Sequence, residues 1–482
     1  MTLFQLIEGL DCRPAVGDLE ITSVTADSRQ AGPGCLFVCI RGEKADGHDY
    51  AHKAVQSGAA IVITQRDLGI DRQIVVENSR TAYGVICANW FGNPSRKLKL
   101  IGVTGTIGKT TVASLIKYIL MAGGKKAGLI GTVHTEIGDM MIPAKHTTPD
   151  PMNLQSLFAR MVQAGCEYVA MEVSSHGLEQ HRLEGCRFAS AVFTNLTQDH
   201  LDYHKTMENY YQAKRRLFSM ADRAAINVDD DYGRRLLTEI PCLADTFSVR
   251  DDAADYTARS VTHSAKGSSF ALVGRGLIAR VALRMPGEFS VSNAMAAAAC
   301  CLGLGFDAET VAKGLSDCPG VVGRAEVVYH DGSCTIIRDY AHTPDGIEKI
   351  LTALREFAQG RVVTLFGCAG NRDAAKRPKM AYAAGSLSDF CILTSDNPRS
   401  EDADKIIADA LPGLEKAGTP YITITDRYKA IGWALENLQE HDILLLAGKG
   451  HEDYQVLQDE TIYFDEKVIV LDYLKKLGRL QD

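Results

Sequence analysis

The stretch from 98 to 113, LKLIGVTGTIGKTTVA, runs a short apolar segment into a Gly-rich turn that carries Lys109, Thr110 and Thr111. These residue types at this spacing suit a polyphosphate. Glycines at 102, 105 and 108 let backbone N–H groups approach phosphate oxygens with no Cβ in the way, and a helix beginning near Lys109 would aim its positive end at the same anion. Lys109 would neutralise the β- and γ-phosphates and Thr110 would ligate Mg²⁺, with Gly105, Thr106, Ile107 and Gly108 forming the cradle. The strict phosphate-loop pattern wants a glycine five residues before Gly108, where this chain has Val103, so the match is to a shorter variant, G-T-x-G-K-T. Two further apolar runs end in polar groups: MEVSSHGLEQHR (171–182) presents Glu172, and VFTNLTQDHLDYH (192–204) presents Asn195, Asp199 and His200. Carboxylate and imidazole at successive strand ends are what a divalent cation bridging a nucleotide and an acyl substrate requires.

These groups need a scaffold, and the apolar runs describe one. LIGVTG, KAGLIG, YVAMEVSS, SAVFTNL and RAAINVD alternate with helix-length segments, the pattern of a mostly parallel sheet covered on both faces. Before them, IVIT (61–64) and QIVV (73–76) mark a smaller α/β region that ends in the linker-like WFGNPSRK (90–97). Residues 255–285 alternate in strand fashion with Gly turns, so a small antiparallel insertion is expected before a helix after Pro286. After Gly323-Arg324 the βα pattern restarts in TIIRDYAH, VVTLFGCAG, FCILTSDNP, YITITD and ILLLAGKGH, each strand running into a polar loop. The expectation is an α/β protein of three domains, 1–97, 98–325 and 326–482, around a central phosphate-loop sheet.

Composition narrows the function classes. At 482 residues with 46% hydrophobic content the chain can bury large cores, and its length suggests about three domains. The net charge is −8 and no basic block occurs, which argues against nucleic acid as a partner. Thirteen cysteines lie scattered without any C-x-x-C, as expected of small buried hydrophobes in a reducing compartment rather than a zinc site or disulfide framework. The N-terminus has no basic leader, and no apolar stretch reaches the roughly 18 residues needed to span a bilayer. Cytoplasmic residence, no membrane insertion and a monomeric state are the expectations.

The chain resembles the Mur ligases over nearly its whole length, and within them the branch that makes UDP-N-acetylmuramoyl-tripeptide. The motifs are TADSRQAGPGCLFVCIRGEKADGHDY (25–50), GVTGTIGKTT (102–111), HTTPDP (146–151), EVSSHGLEQHR (172–182), NLTQDHLDYH (195–204), AKRRLF (213–218), GRAE (323–326), DYAHTPD (339–345), GCAGNRDAAKRPKM (367–380), DNPRSED (396–402) and AGKGHEDYQ (447–455). The resemblance implies ATP-dependent amide formation for peptidoglycan precursor synthesis, in which a carboxylate of UDP-MurNAc-L-Ala-D-Glu becomes an acyl phosphate that the amine of an incoming amino acid attacks. It implies that Lys214 is carbamylated and holds a second Mg²⁺ with Glu172 and His200. It places the adenosine part of ATP on Asn293, Arg324, Asp339 and His342. Uridine diphosphate falls to Ala26, Ser28, Glu43, Lys44 and Ala45, and the muramyl peptide to Thr147, Thr148, Ser174, Gln180 and Arg182. Members that add meso-diaminopimelate carry D-N-P-R, present here as Asp396-Asn397-Pro398-Arg399, and a guanidinium fork suits the distal carboxylate of that amino acid and repels the ammonium of lysine. Arg372, Gly448 and Glu452 complete that pocket by analogy.

Three departures from the family pattern stand out. Ile107 occupies a position usually held by Asn, and its β-branch disfavours unusual backbone angles. Ser290 stands where Asn is common, and GCAGNRD carries Ala369 and Asn371 where GCGGDRD is typical. A nucleotide-binding regulatory paralogue and an L-lysine-adding or folate-type ligase are the competing readings, of which the folate branch has no reason to carry EVSSHGLEQHR or DNPR.

Overall fold

The computed structural model describes all residues except 13, 15, 43, 44, 481 and 482. The chain forms two compact units, one of residues 1–246 with 296–306 and the other of residues 247–295 with 307–482.

In the first unit a small parallel sheet comes first, β1 (Ser23–Thr25), β2 (Cys35–Val38), β3 (Ile61–Thr64) and β4 (Gln73–Val75), in sequential order. Leu36, Val38, Ile61 and Ile63 pack there against Ile86 and Cys87 of the helix Ser79–Trp90. Seven strands of the eleven-stranded main sheet lie wholly in this unit, β5 (Lys99–Thr104), β6 (Ala127–Ile130), β7 (His134–Ile137), β8 (Met140–Pro143), β9 (Tyr168–Glu172), β10 (Phe188–Phe193) and β11 (Arg223–Asn227), in the order β11-β10-β5-β9-β6-β7-β8. Pairing is parallel from β11 to β6 and antiparallel through β7 and β8. The parallel strands are almost uninterrupted apolar runs because both faces are buried; Leu100, Val169, Met171, Ala191 and Phe193 share one core with Leu154 and Phe158 of the helix Pro151–Gln163. β5 is central, and the helix Lys109–Ala122 follows it directly. Ligands of such sheets bind beyond the carboxyl ends of the strands, where the turn after β5 and the ends of β9 and β10 meet.

The second unit takes in the end of β12 (Leu243–Ser248), whose Phe247 and Ser248 pair with the first residues of β13 (Tyr256–Ser264). β13, β14 (Gly267–Gly274) and β15 (Leu277–Leu283) form the expected antiparallel insertion. The helix Glu288–Gly303 follows, as the sequence predicts after Pro286. A six-stranded sheet closes the chain: β16 (Glu326–His330), β17 (Cys334–Asp339), β18 (Val362–Cys368), β19 (Phe390–Ser395), β20 (Tyr421–Ile424) and β21 (Asp442–Ala447), ordered β16-β17-β21-β18-β19-β20 with only β16 antiparallel. A two-stranded ribbon, β22 (Tyr454–Val456) and β23 (Thr461–Tyr463), precedes the last helix. All thirteen cysteines are free and ten are buried, as read from the sequence. Among the described residues no helix is long and apolar enough to cross a membrane.

Candidate active site

The turn after β5 is shaped by what it touches on β10. A Cβ on Gly105 would fall 1.9 Å from Thr194 Oγ1, so only glycine lets the two chains approach this closely. Gly108 has φ 93° and begins the helix at Lys109, so the two glycines carry the unusual backbone angles and Ile107 is not among the positive-φ residues. The concern about its β-branch is therefore answered by the loop itself. Asn195 also grips Ile107 at both ends of its peptide, accepting from its N–H at 3.0 Å and donating to its carbonyl at 3.1 Å, and Thr194 Oγ1 donates to that carbonyl at 2.6 Å. Asn195, noted at a strand end but given no role, is the polar group that orders the cradle.

Two lysines converge on this loop. Lys109 Nζ donates to the carbonyls of Gly105 and Thr106, both at 2.9 Å. Lys214, on the helix Met207–Ser219, is 1% exposed, and its Nζ donates to the same Gly105 carbonyl at 2.8 Å and lies 4.5 Å over the Tyr210 ring. Burial, and then the neighbouring Lys109, hold its pKa well below the usual lysine range. Sequence alone cannot separate this residue from an exposed helix lysine; the fold buries it.

Glu172, 1% exposed at the end of β9, collects donors from three directions. Thr110 Oγ1 donates to Oε2 at 2.9 Å, Thr132 Oγ1 to the same oxygen at 3.0 Å, and Thr132 N–H to Oε1 at 2.6 Å. Thr132 and Thr147 hydroxyls lie 3.0 Å apart. Thr148 donates to the Glu172 carbonyl at 3.0 Å and accepts from Ser174 N–H at 2.9 Å, Arg182 Nη1 donates to the Thr148 carbonyl at 2.6 Å, and Arg182 Nη2 donates to Gln180 Oε1 at 2.7 Å. The five residues expected to meet the muramyl peptide are thus linked to Glu172, Thr147 through Thr132 on the carboxylate and Thr148, Ser174, Gln180 and Arg182 through a chain of bonds that ends on its backbone carbonyl. Thr132 belongs to it and was missed, since a lone threonine after KAGLIG carries no signal of its own.

His200 takes a left-handed backbone (φ 53°), with its Nε2 3.4 Å from Asp199 Oδ2 and its ring 4.9 Å from that of His176. Desolvation lowers its pKa to about 4, with His176, Lys109 and Lys214 acting the same way against Asp199, so it is a neutral imidazole, the ligating form, at neutral pH. Among the described residues no three His, Cys, Asp or Glu side chains gather as a metal centre. Thr110 and Glu172 nonetheless suit a cation, as a hydroxyl and a carboxylate within hydrogen-bonding distance, and a carboxylate added to Lys214 would extend the donor set.

In the second unit, of the residues expected around ATP, Arg324 lies just before β16, Asp339 ends β17 with His342 after it, and Asn293 sits on the helix Glu288–Gly303. Both Asp339 oxygens accept backbone N–H groups, from Ala325 at 2.7 Å and Ala341 at 2.8 Å, and the Arg324 guanidinium lies 4.6 Å over the Tyr340 ring. His342 Nδ1 is 2.7 Å from the Tyr340 carbonyl, and Asn293 is buried on its helix. Asp339 thus has a backbone-holding task that its motif did not suggest.

The D-N-P-R loop follows β19. Asp396 and Asn397 are 5% and 4% exposed. Asn397 Nδ2 donates to Glu452 Oε2 at 2.8 Å, and its Oδ1 accepts from Val456 N–H at 2.9 Å and Lys449 Nζ at 3.2 Å. Lys449, 0% exposed, also lies 3.4 Å from Glu452 Oε2 and 3.6 Å from Asp396 Oδ1, so this polar cluster holds an internal lysine that sequence reading missed between Gly448 and Glu452. A Cβ on Gly448 would meet Asp396 Oδ2 at 2.7 Å, and Gly370 lies against the Pro398 carbonyl with its N–H donating to Asn397 O at 2.9 Å. Arg399 stands at φ 54° and donates through Nη1 to the Gly370 carbonyl at 2.6 Å. Asn371, where the pattern has Asp, adopts φ 54° and accepts from the Ser400 N–H and hydroxyl, and Ser290 donates to the Pro286 carbonyl at 2.7 Å. Arg372 is exposed beyond β18. In the first unit Ser28 opens a short 3-10 turn capped by Asp27, with Ala26 before it, while Ala45 is exposed and Glu43 and Lys44 lie outside the described residues.

The sequence is 43% identical over 484 residues to the UDP-N-acetylmuramoyl-L-alanyl-D-glutamate–2,6-diaminopimelate ligase 1 of Clostridium acetobutylicum, covering 99% of this chain and 100% of the relative. The chain belongs to the Mur ligase family. It is 45% identical to the corresponding ligase of Caldanaerobacter subterraneus subsp. tengcongensis over 95% of each chain, and 44% identical to that of Geobacillus kaustophilus over 96% of each. Three segments match separate Mur ligase families: residues 20–86 the catalytic domain, 103–301 the middle domain and 323–450 the glutamate ligase domain. A solved structure of a UDP-N-acetylmuramoyl-L-alanyl-D-glutamate–2,6-diaminopimelate ligase superposes with TM-score 0.73 at 33% identity over 100% of both chains. A MurF ligase from Thermotoga maritima, solved with ADP, shares the Mur ligase fold at TM-score 0.62 and 18% identity, over 96% of this chain and 99% of that one.

Proposed function

We propose that this Mur ligase joins meso-diaminopimelate to UDP-MurNAc-L-Ala-D-Glu in the cytoplasm at the expense of ATP, acting as a monomer. The carrying observation is that a chain alike along its length to 2,6-diaminopimelate ligases carries a D-N-P-R loop whose Asp396 and Asn397 are buried, with Asn397 donating to Glu452 and Arg399 to the Gly370 carbonyl. A D-glutamate carboxylate oxygen attacks the γ-phosphorus of ATP and ADP leaves, giving an acyl phosphate. The diaminopimelate amine then attacks the acyl carbon, phosphate leaves, and the new amide loses a proton.

The residues divide this work. Gly105 to Thr111 cradle the phosphates, with Lys109 against the β- and γ-phosphoryl oxygens, where fixed positive charge lowers the repulsion between two anionic reactants. Thr147, Thr148, Ser174, Gln180 and Arg182 orient the muramyl peptide. Thr110 and Glu172 would hold one Mg²⁺, and Glu172, His200 and carbamylated Lys214 a second. Bound there, Mg²⁺ supplies charge neutralisation between phosphate and acyl oxygens. Lys214 suits carbamylation because burial and the neighbouring Lys109 depress its pKa and so favour the free amine, which adds CO₂ and releases one proton to place an anion beside Lys109. Asn293, Arg324, Asp339 and His342 would receive the adenosine.

Phosphate release tests the reading. Release should require ATP, UDP-MurNAc-L-Ala-D-Glu and meso-diaminopimelate together, with L-lysine a poor replacement. Release independent of the amino acid, or faster with lysine, would defeat it, and nucleotide binding without turnover would point to the regulatory paralogue.

A further inference from the structure

Among the largest fully buried side chains is Arg427, a residue with no task so far. It opens the helix Arg427–Glu436, and its partner Glu466 opens the helix Glu466–Lys476. Arg427 Nε and Nη2 lie 2.8 and 2.7 Å from Glu466 Oε1, and both side chains are wholly inaccessible to solvent. The remaining donors of the guanidinium go to backbone. Nη2 donates to the Ala447 carbonyl at 2.9 Å and Nη1 to the Ser395 carbonyl at 3.4 Å.

Those two carbonyls belong to the last residues of β21 and β19, the strands on either side of β18. The next residue along each chain is Gly448 or Asp396, both members of the amino-acid pocket. One planar guanidinium therefore ties together the two strand ends from which that pocket springs. As a source of stability the pair is a poor device: desolvating two charges offsets most of their attraction, and Glu466 Oε2 is buried with no hydrogen-bond partner. An apolar pair would fill the same space at no loss. What apolar side chains cannot do is donate to two carbonyls at once in fixed geometry, and a lysine lacks the fork.

We infer that Arg427 is a positioning residue for the amino-acid substrate, fixing the separation of Asp396 and Gly448, and that Glu466 fixes the guanidinium. The inference rests on the assignment of the D-N-P-R loop as the diaminopimelate pocket. The test measures KM for meso-diaminopimelate and for UDP-MurNAc-L-Ala-D-Glu, kcat and melting temperature in full-length Arg427→Met/Glu466→Leu, in Glu466→Gln, and in Arg399→Ala as reference. The double variant should stay folded while its diaminopimelate KM rises roughly ten-fold or more, with the UDP-muramyl KM within about two-fold of the parent. Glu466→Gln keeps the shape and should shift the same KM less; it carries the test if the double variant does not fold. A folded variant with diaminopimelate KM unchanged, or with both KM values moving together, overturns the inference. If Arg399→Ala raises the diaminopimelate KM and the pair variants do not, the inference alone falls. If none of the three raises it, the pocket assignment falls as well.

Discussion

Lys109 and Lys214 donate to the same Gly105 carbonyl, so two amino groups converge on one acceptor at the phosphate loop. Burial first, and then the neighbouring Lys109, depress the pKa of the fully buried Lys214. Lys109→Ala removes the half-exposed amino group proposed to meet the phosphates and should cut kcat by about two to three orders of magnitude with the fold intact; near-normal ligation would refute the phosphate-loop assignment. Lys214→Ala should be nearly inactive yet partly rescued by formate or acetate, since the site then lacks a carboxylate. An unmodified Lys214 in the intact mass of a fully active enzyme would contradict this. Asn195 holds Ile107 through its peptide group, so Ile107→Asn should leave ATP KM unchanged or lower it, and a large loss of activity would mean that the loop has adapted around isoleucine.

At the scale of elements, the seam between the β5 turn and the end of β10 is a close backbone approach that only glycine permits. Gly105→Ala would drive a Cβ into Thr194 Oγ1 and disturb its bond to Ile107 O, costing on the order of 2 kcal/mol. The melting temperature should fall by roughly 5 °C, and ATP turnover should fall with it; an unchanged melting curve would mean that the turn has room to shift. The parallel strands were legible because burial on both faces leaves unbroken apolar runs, and the turn because glycine and lysine are scarce in that spacing. The β7–β8 hairpin was not, as HTEIGDMMIP mixes polar and apolar residues on a half-exposed edge. Nor were the burial of Lys214 and Lys449 or the backbone bonds of Asp339, because a side chain's surroundings come from residues remote in sequence.

At the scale of the molecule, the assignments divide between the compact units. The phosphate loop, Glu172, His200, Lys214 and the muramyl-peptide cluster lie in the first, whereas all seven residues of the diaminopimelate pocket lie in the second. A change confined to that pocket should therefore spare UDP-muramyl binding, and Arg399→Ala is the sharpest case. Alanine meets the same backbone cost as arginine at φ 54°, so the substitution isolates the guanidinium. A charge-assisted fork to a carboxylate in a desolvated pocket contributes about 1.5 to 3 kcal/mol. The diaminopimelate KM should then rise roughly ten- to a hundred-fold, while the KM values for ATP and UDP-MurNAc-L-Ala-D-Glu move little. L-Lysine should remain a poor substrate, because deleting a repulsion does not build a site for an ammonium. Nη1 also donates to the Gly370 carbonyl, which offers a rival account in which Arg399 only ties two loops together. On that account the melting temperature falls and all three KM values rise together. Three KM values and one melting curve separate the two, and an unchanged diaminopimelate KM would defeat the specificity assignment.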